Sequence, residues 1–392
     1  MSQCPKAFRA TWFVLLAEGE FSLLQQLRER DVPCVKPLAA VTGRRDRSGE
    51  PLPGALVTKH LKFSLPYRAV FSNTLREATA TRLVDALALL LVRLHSAGCF
   101  WGDVSLSNVL FRRDAGAFAA YLVDAETARV QPEGLSDGQR EHDLEIARVN
   151  IAGELLDLEA AGRMERTLDP VEIALSITEA YRALWRELQA DWDFAPGERW
   201  RLDERVRRLN DLGFDIETLT IRSEGGEERV RVRAKVVDAG HHQRRLLRLT
   251  GIDAEENQAR RLLNNLDEYR ASYRADWSEQ RAAHEWRSRI FQPVVQAIPP
   301  ELAGKLDAAE VFHQLLEHRW YLSEQAGEAV PLAAAVSSYI ETVLRFRRDE
   351  AALFNPATGA ITSVMSVISP HTGAIPSVFN DEDGAEDWRD RV

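Results

Sequence analysis

Cysteine is scarce in this chain: three in 392 residues, at Cys4, Cys34 and Cys99, with no CxxC pair. That excludes a disulfide framework and a zinc knuckle, and it suits a reducing cytoplasm. Lysine is scarce too, since only six of the 50 Lys and Arg residues are Lys, so any chemistry that depends on one particular Lys has few candidates. Long apolar runs are missing. The longest, residues 86–92, is bounded by Asp85 and Arg93, whereas a bilayer span needs about 20 residues. The apolar run ahead of Ala17 follows Lys6 and Arg9 but has no small-residue cleavage site, so a cytoplasmic chain is expected rather than an exported one. Positive charge is in deficit: 60 acidic residues against 50 basic ones give a net charge of −10, which disfavours nucleic acid and anionic membranes as partners.

What is present is ordinary for a globular protein, with 45% hydrophobic and 28% charged residues, in a chain long enough for two or three cores. Residues 10–17 (ATWFVLLA) read as a strand and 20–30 as a helix. Residues 35–42 and 55–61 are strand candidates separated by a polar loop. A buried helix is expected over 74–97, ended by Gly98 in a left-handed cap. Residues 109–111 and 119–123 have the spacing of a hairpin. Helices follow over 137–190, one of them started by Asp169-Pro170. A second region opens near Pro196-Gly197 with a hairpin around Gly225-Gly226, then helices over 243–289 and 308–347 broken at Pro299-Pro300. The last forty residues hold an imperfect repeat, PATGAITSV and PHTGAIPSV, and an acidic end, a composition expected to be disordered.

The chemistry concentrates in residues 94–111 (LHSAGCFWGDVSLSNVLF) and 120–130 (AYLVDAETARV). Asp103 is followed five residues on by Asn108 and, after the hairpin, by Asp124. Phosphoryl transfer from ATP needs a carboxylate near the attacking hydroxyl and oxygen ligands that hold Mg2+ against the phosphates. Three such groups around one cleft mouth match that need, with Asp103 as base and Asn108 and Asp124 as metal ligands.

This pattern resembles the protein-kinase-like superfamily, and within it the lipopolysaccharide (Kdo/heptose) kinase branch, whose G-D-x-x-x-x-N appears here as Gly102-Asp103 through Asn108. The resemblance implies an α+β protein: a kinase-like fold with a reduced N-lobe (1–66) and a C-lobe (67–195). A mostly helical C-terminal domain containing a β-hairpin (196–350) and an acidic tail (351–392) follow. It implies ATP and Mg2+ as cofactors. Ser105 stands where Ser/Thr protein kinases carry Lys, so the implied acceptor is a small-molecule, sugar or lipid hydroxyl. Asp143 matches the helix-borne Asp that braces the catalytic loop from beneath, with His95 packing the loop's base and Trp101 packing on the core. Glu20 is the natural partner for a phosphate-positioning Lys, and Lys59 belongs to the strand and hinge segment that would contact adenine.

Two features depart from the family. About ten residues before Glu20, where the Lys should stand, is Ala10, with Lys6 and Arg9 nearby. No Gly-rich hairpin precedes it. The N-terminus is therefore truncated or altered relative to its relatives, or the protein is a weakly active pseudokinase that serves as a binding or scaffold module and meets protein partners through its helical domain. Residues 237–271 and 305–324 resemble the domain of unknown function that accompanies such kinase-like domains in uncharacterised actinobacterial proteins. Within it, His241-His242 is a weak metal pair, Glu310 and His313 read as a surface or capping pair, and Trp277, Trp286, Trp320 and Tyr321 read as core.

Overall fold

The computed structural model describes residues 6–350 apart from 72–74, 76, 166, 190–191, 195–203, 205–213, 225–226, 274–275 and 348. The expected boundary at 195/196 and the acidic tail lie outside those residues.

The chain opens with α1 (Lys6–Glu29), a single helix. Residues 10–17 are thus helical, not a strand. An apolar run of eight carries no period of its own, and here it joins the helical pattern that follows. A two-stranded antiparallel sheet comes next, β1 (Pro37–Val41) with β2 (Ala55–Thr58). After β3 (Leu65–Pro66) and the short α2 (Tyr67–Val70), α3 (Glu77–Ser96) runs through the centre of the core, buried over most of its circumference at Leu83, Leu87, Leu90, Leu91 and Leu94. Gly98, at φ +75°, stops it. A Cβ there would meet the Gln131 carbonyl oxygen at 2.5 Å, so glycine is required twice over.

Beyond β4 (Cys99–Phe100) lies the hairpin of β5 (Val109–Asp114) and β6 (Ala117–Leu122), flanked by β3. Its burial alternates along β6 and over the first four residues of β5. Val109, Phe111, Phe118, Ala120 and Leu122 face the first core, while Leu110, Arg112, Ala119 and Tyr121 face the other way. After β7 (Arg129–Val130), α4 (Asp137–Ala160) begins with a complete capping box between Ser136 and Gln139. α5 (Pro170–Gln189) begins where the Asp169 carboxylate accepts from the Val171 and Glu172 amides.

A second three-stranded antiparallel sheet, in the order β8 (Trp192–Phe194), β10 (Glu227–Ala239), β9 (Phe214–Glu224), precedes the helical region. That region comprises α6 (His241–Thr250), α7 (Glu256–Tyr273), α8 (Glu279–Trp286), a π-helical turn at Arg287–Phe291, α9 (Gln292–Ala297), α10 (Ala308–Ala326) and α11 (Leu332–Thr342). Two hydrophobic cores result, one drawn from residues 23–188 and the other from 246–344. Trp286 is core as expected, but Trp320 and Tyr321 on α10 are exposed and Trp277 is half-buried. Glu310 and His313 are buried rather than on the surface. No helix among the described residues is long and apolar enough to cross a membrane.

Candidate active site

The loop between β4 and β5 hangs from one carboxylate. Asp143, on α4 and fully buried, accepts from the Trp101 amide at 2.7 Å and the Gly102 amide at 2.8 Å. It also contacts His95 Nε2 at 3.1 Å. The other imidazole nitrogen, Nδ1, lies 2.6 Å from the Tyr181 hydroxyl. The tautomer that satisfies both contacts has Tyr181 donating to Nδ1 and Nε2–H donating to Asp143. His95 is therefore structural, as the sequence suggests, and Trp101 is wholly buried with its indole N–H on the Asp124 carbonyl. Gly102 has φ +80°, with Phe100 Cε1 3.1 Å from where a Cβ would stand, so this turn into Asp103 needs glycine.

A second brace escaped the sequence reading. Glu154, also on α4, accepts from the Leu106 amide at 2.6 Å and the Ser107 amide at 3.0 Å. Asn150 donates from Nδ2 to Asp103 Oδ1 at 3.2 Å. Asp143, Asn150 and Glu154 recur at i, i+7 and i+11, close to whole turns of a helix, so one face of α4 holds the loop at three points. That periodicity was the available signal.

Asp103 is exposed at the mouth, its Oδ2 receiving Asn108 Nδ2 at 3.2 Å. Asn108 is joined to the strand leading to Asp124, since its carbonyl accepts from the Val123 amide at 3.0 Å. Asp124 is exposed, with Oδ1 taking the Glu126 amide at 3.0 Å. Glu20 Oε1 accepts from the Ala125 amide at 3.2 Å. Burial raises the Glu20 carboxyl, against the Ala125 bond that lowers it and with the nearby charges of Asp124 and Glu126 raising it further. Hydrogen bonds thus link Asp103 to Asn108, Asn108 to the segment entering Asp124, and Glu20 to the segment leaving it. Lys59 does not join them: it follows β2, exposed, its backbone N–H bonded to the Lys36 carbonyl, and its ammonium bonds to none of the four.

The lysine expected opposite Glu20 is not supplied by Lys6 or Arg9. Both lie on the same helix as Glu20, roughly 21 Å and 17 Å back along its axis at 1.5 Å per residue. A helical Glu cannot pair with a residue so far along its own helix.

Residues 6–152 match the family model "Lipopolysaccharide kinase (Kdo/WaaP) family". The N-terminal domain is a Kdo/WaaP-family domain. Residues 183–344 match a domain of unknown function, DUF4032. The first match takes in most of the first hydrophobic core and the second takes in the other core, while first-core residues from Leu155 to Tyr181 fall between the two. A similar solved structure, described as WaaP in complex with acyl carrier protein, shares 19% identity, covers 48% of this chain and 73% of its own, and superposes with a TM-score of 0.29; at that score it carries no argument. No protein of curated function matches the chain. The Kdo/WaaP family implies ATP and, as is usual for kinases, Mg2+.

The donor set of the Kdo/WaaP-type domain suits that ion. Once Asn108 Nδ2 is spent on Asp103, its amide oxygen remains, and Asp124 Oδ2 is uncommitted beside the bonded Oδ1. Mg2+ takes one or two protein oxygens and completes its shell with phosphate and water. Among the described residues no group of three or more His, Cys, Asp or Glu is placed to hold a metal by itself, so an ion here would share the nucleotide's phosphates.

Proposed function

We propose that this chain is a phosphotransferase that moves the γ-phosphoryl group of ATP to the hydroxyl of a small molecule, sugar or lipid. The observation that carries this reading is the state of Asp103: one carboxylate oxygen held by Asn108, the other by Asn150, and the group still open to solvent at the mouth. Two amides fix its orientation without neutralising it, which suits a base that receives a hydroxyl proton. Asn108 and Asp124 are the residues that would hold Mg2+, which supplies charge neutralisation on the phosphates. Glu20 tethers the Asp124 segment through the Ala125 amide. Lys59, whose ammonium bonds to none of these groups, is kept only as a contact for the nucleotide's base end. The reaction belongs in the cytoplasm, where ATP is present and the free thiols Cys34 and Cys99 stay reduced.

Among the described residues no cation is bonded to Glu20, which favours a second reading, a pseudokinase used as a scaffold. An unassisted triphosphate loses one preorganised charge, worth about 10²–10³ in rate where such donors have been removed. Exposed Trp320 and Tyr321 would then offer the helical domain's surface to a protein partner.

The test is Mg2+-dependent ATP turnover with sugar and lipid acceptors, with Asp103→Asn as the control. Turnover that vanishes in the variant supports the enzyme. Mg-ATP binding without turnover in either protein supports the scaffold, and a melting temperature that Mg-ATP does not move refutes the enzyme.

A further inference from the structure

The polar face of the β5–β6 hairpin is not on the surface. Arg112 Nη1 meets Glu255 Oε1 at 2.6 Å, and the Tyr121 hydroxyl lies 2.9 Å and 2.8 Å from the two oxygens of the same carboxylate. Arg112 and Tyr121 are diagonal neighbours on one face of the hairpin, so Glu255, just ahead of α7, bridges both strands at once. At the tip, Asp114 Oδ1 accepts from the Gln258 amide at 2.9 Å and Oδ2 from Asn257 Nδ2 at 2.9 Å. The first turn of α7 is thus capped by a residue of the other domain, satisfying an amide that the helix itself cannot. The Ala115 amide donates to Glu310 at 3.1 Å, holding a non-glycine residue at φ +52°, a conformation that persists only where its surroundings enforce it. Arg113 Nε reaches Glu350 at 2.6 Å.

The other end of this hairpin is the active site. Asn108 immediately precedes β5 and Asp124 follows β6 by two residues, the two arms closed by the Val123–Asn108 bond. Six residues separate Asn108 from Asp114, roughly 20 Å of extended chain. Both faces of this lever are covered, one by the first core and one by the helical domain.

We infer that the DUF4032-type domain is a positioning element of the phosphotransfer site, fixing Asn108 and Asp124 through the hairpin it grips, with Glu255 as the central contact. The inference rests on the reading of those two residues as metal ligands. Removing one member of a hydrogen-bonded buried pair loosens what it orders. The effect should reach the hairpin's base because the strands between are paired throughout.

The test uses the full chain in three forms: parent, Glu255→Gln and Tyr121→Phe. Glu255→Gln replaces the charge that meets Arg112. Tyr121→Phe deletes one hydroxyl without changing shape, so it keeps the experiment sound if the first variant misfolds. Hydrogen exchange is followed at the Val123 amide, and ADP binding is measured with and without Mg2+. The expected result is faster exchange at Val123 in each folded variant. The Mg2+-dependent part of ADP affinity should fall about three- to tenfold, while metal-free ADP affinity stays as in the parent. Unchanged exchange, or an unchanged Mg2+ increment on a parent that has one, overturns this inference alone. A parent with no Mg2+-dependent ADP binding overturns the metal-ligand reading, and this inference with it.

Discussion

Replacing Asp143 by Asn tests the support of the catalytic loop with a change of one atom. Asp143 Oδ2 serves the Trp101 amide and His95, and Oδ1 serves the Gly102 amide, all at the bottom of the loop. An Asn side chain keeps one oxygen. If that oxygen takes the place of Oδ2, the new NH2 group faces the Gly102 N–H, donor against donor. An unpaired, enclosed N–H costs about 1–3 kcal/mol. The two surviving bonds lose their charge assistance, which is roughly half the strength of each. Together these predict a destabilisation of about 2–4 kcal/mol. For a domain of this size each kcal/mol moves the melting temperature by about 2–4 °C, so a drop of roughly 5–15 °C is expected. The assay is thermal unfolding of the full chain followed by circular dichroism, with Asp103→Asn as a control at the exposed end of the same loop, where little change is expected. An Asp143→Asn protein that melts within about 2 °C of the parent would show that the loop does not hang from this carboxylate.

Gly98→Ala should destabilise by at least about 2 kcal/mol, because its Cβ enters the Gln131 carbonyl, whereas Gly116→Ala, at φ +83° with open space around it, should cost only the backbone strain. Equal melting temperatures for the two would remove the clash from the explanation. Burial pushes the Cys34 and Cys99 thiols up to about 12, so both should resist iodoacetamide at neutral pH until the chain is unfolded; rapid native labelling followed by mass spectrometry would contradict their placement. Asp114 supplies a pH signature. Its enclosure, reinforced by Glu255, lifts its carboxyl to about 7 against the lowering bonds from Gln258 and Asn257. A carboxyl raised on folding contributes stability that is complete below its unfolded value of about 3.9 and is lost as pH rises through about 7. The melting temperature should therefore decline from about pH 4 to about pH 7 and level off above that, and Asp114→Asn should flatten that decline; an unaltered slope would assign the titration elsewhere.

Much of this architecture was legible because local rules coincide with tertiary ones. Gly98 and Asp169-Pro170 mark helix ends by chemistry that needs only near neighbours, and the hairpin spacing announces a strand pair. The hairpin returns the chain beside Asn108 just before Asp124, and Asn108 bonds Asp103, as the spacing of the three allows. What the sequence concealed depends on distant partners. Residues 10–17 hold too few positions to distinguish a strand from a helix segment, and the continuation into Glu20 decides it. That same helix denies Glu20 the cation its spacing suggested. Glu310 and His313 read as a surface or capping pair, whereas Glu310 is buried against the Ala115 amide of the other domain's hairpin and His313 is buried beside Glu317. Trp320 and Tyr321 have helical spacing, but on a face that no neighbour covers among the described residues. Asn150 and Glu154 lay within a segment already assigned to bracing, where a single carboxylate seemed to complete the task.

The shared hairpin has a consequence for inheritance. Because a turn made by one module caps a helix of the other, neither can be exchanged for a foreign counterpart without leaving charged groups stranded. Chains that carry the first module alone would present the positions of Arg112, Asp114 and Tyr121 to water and be free to vary them. Chains that carry both should change those positions only in step with Glu255, Asn257 and Gln258.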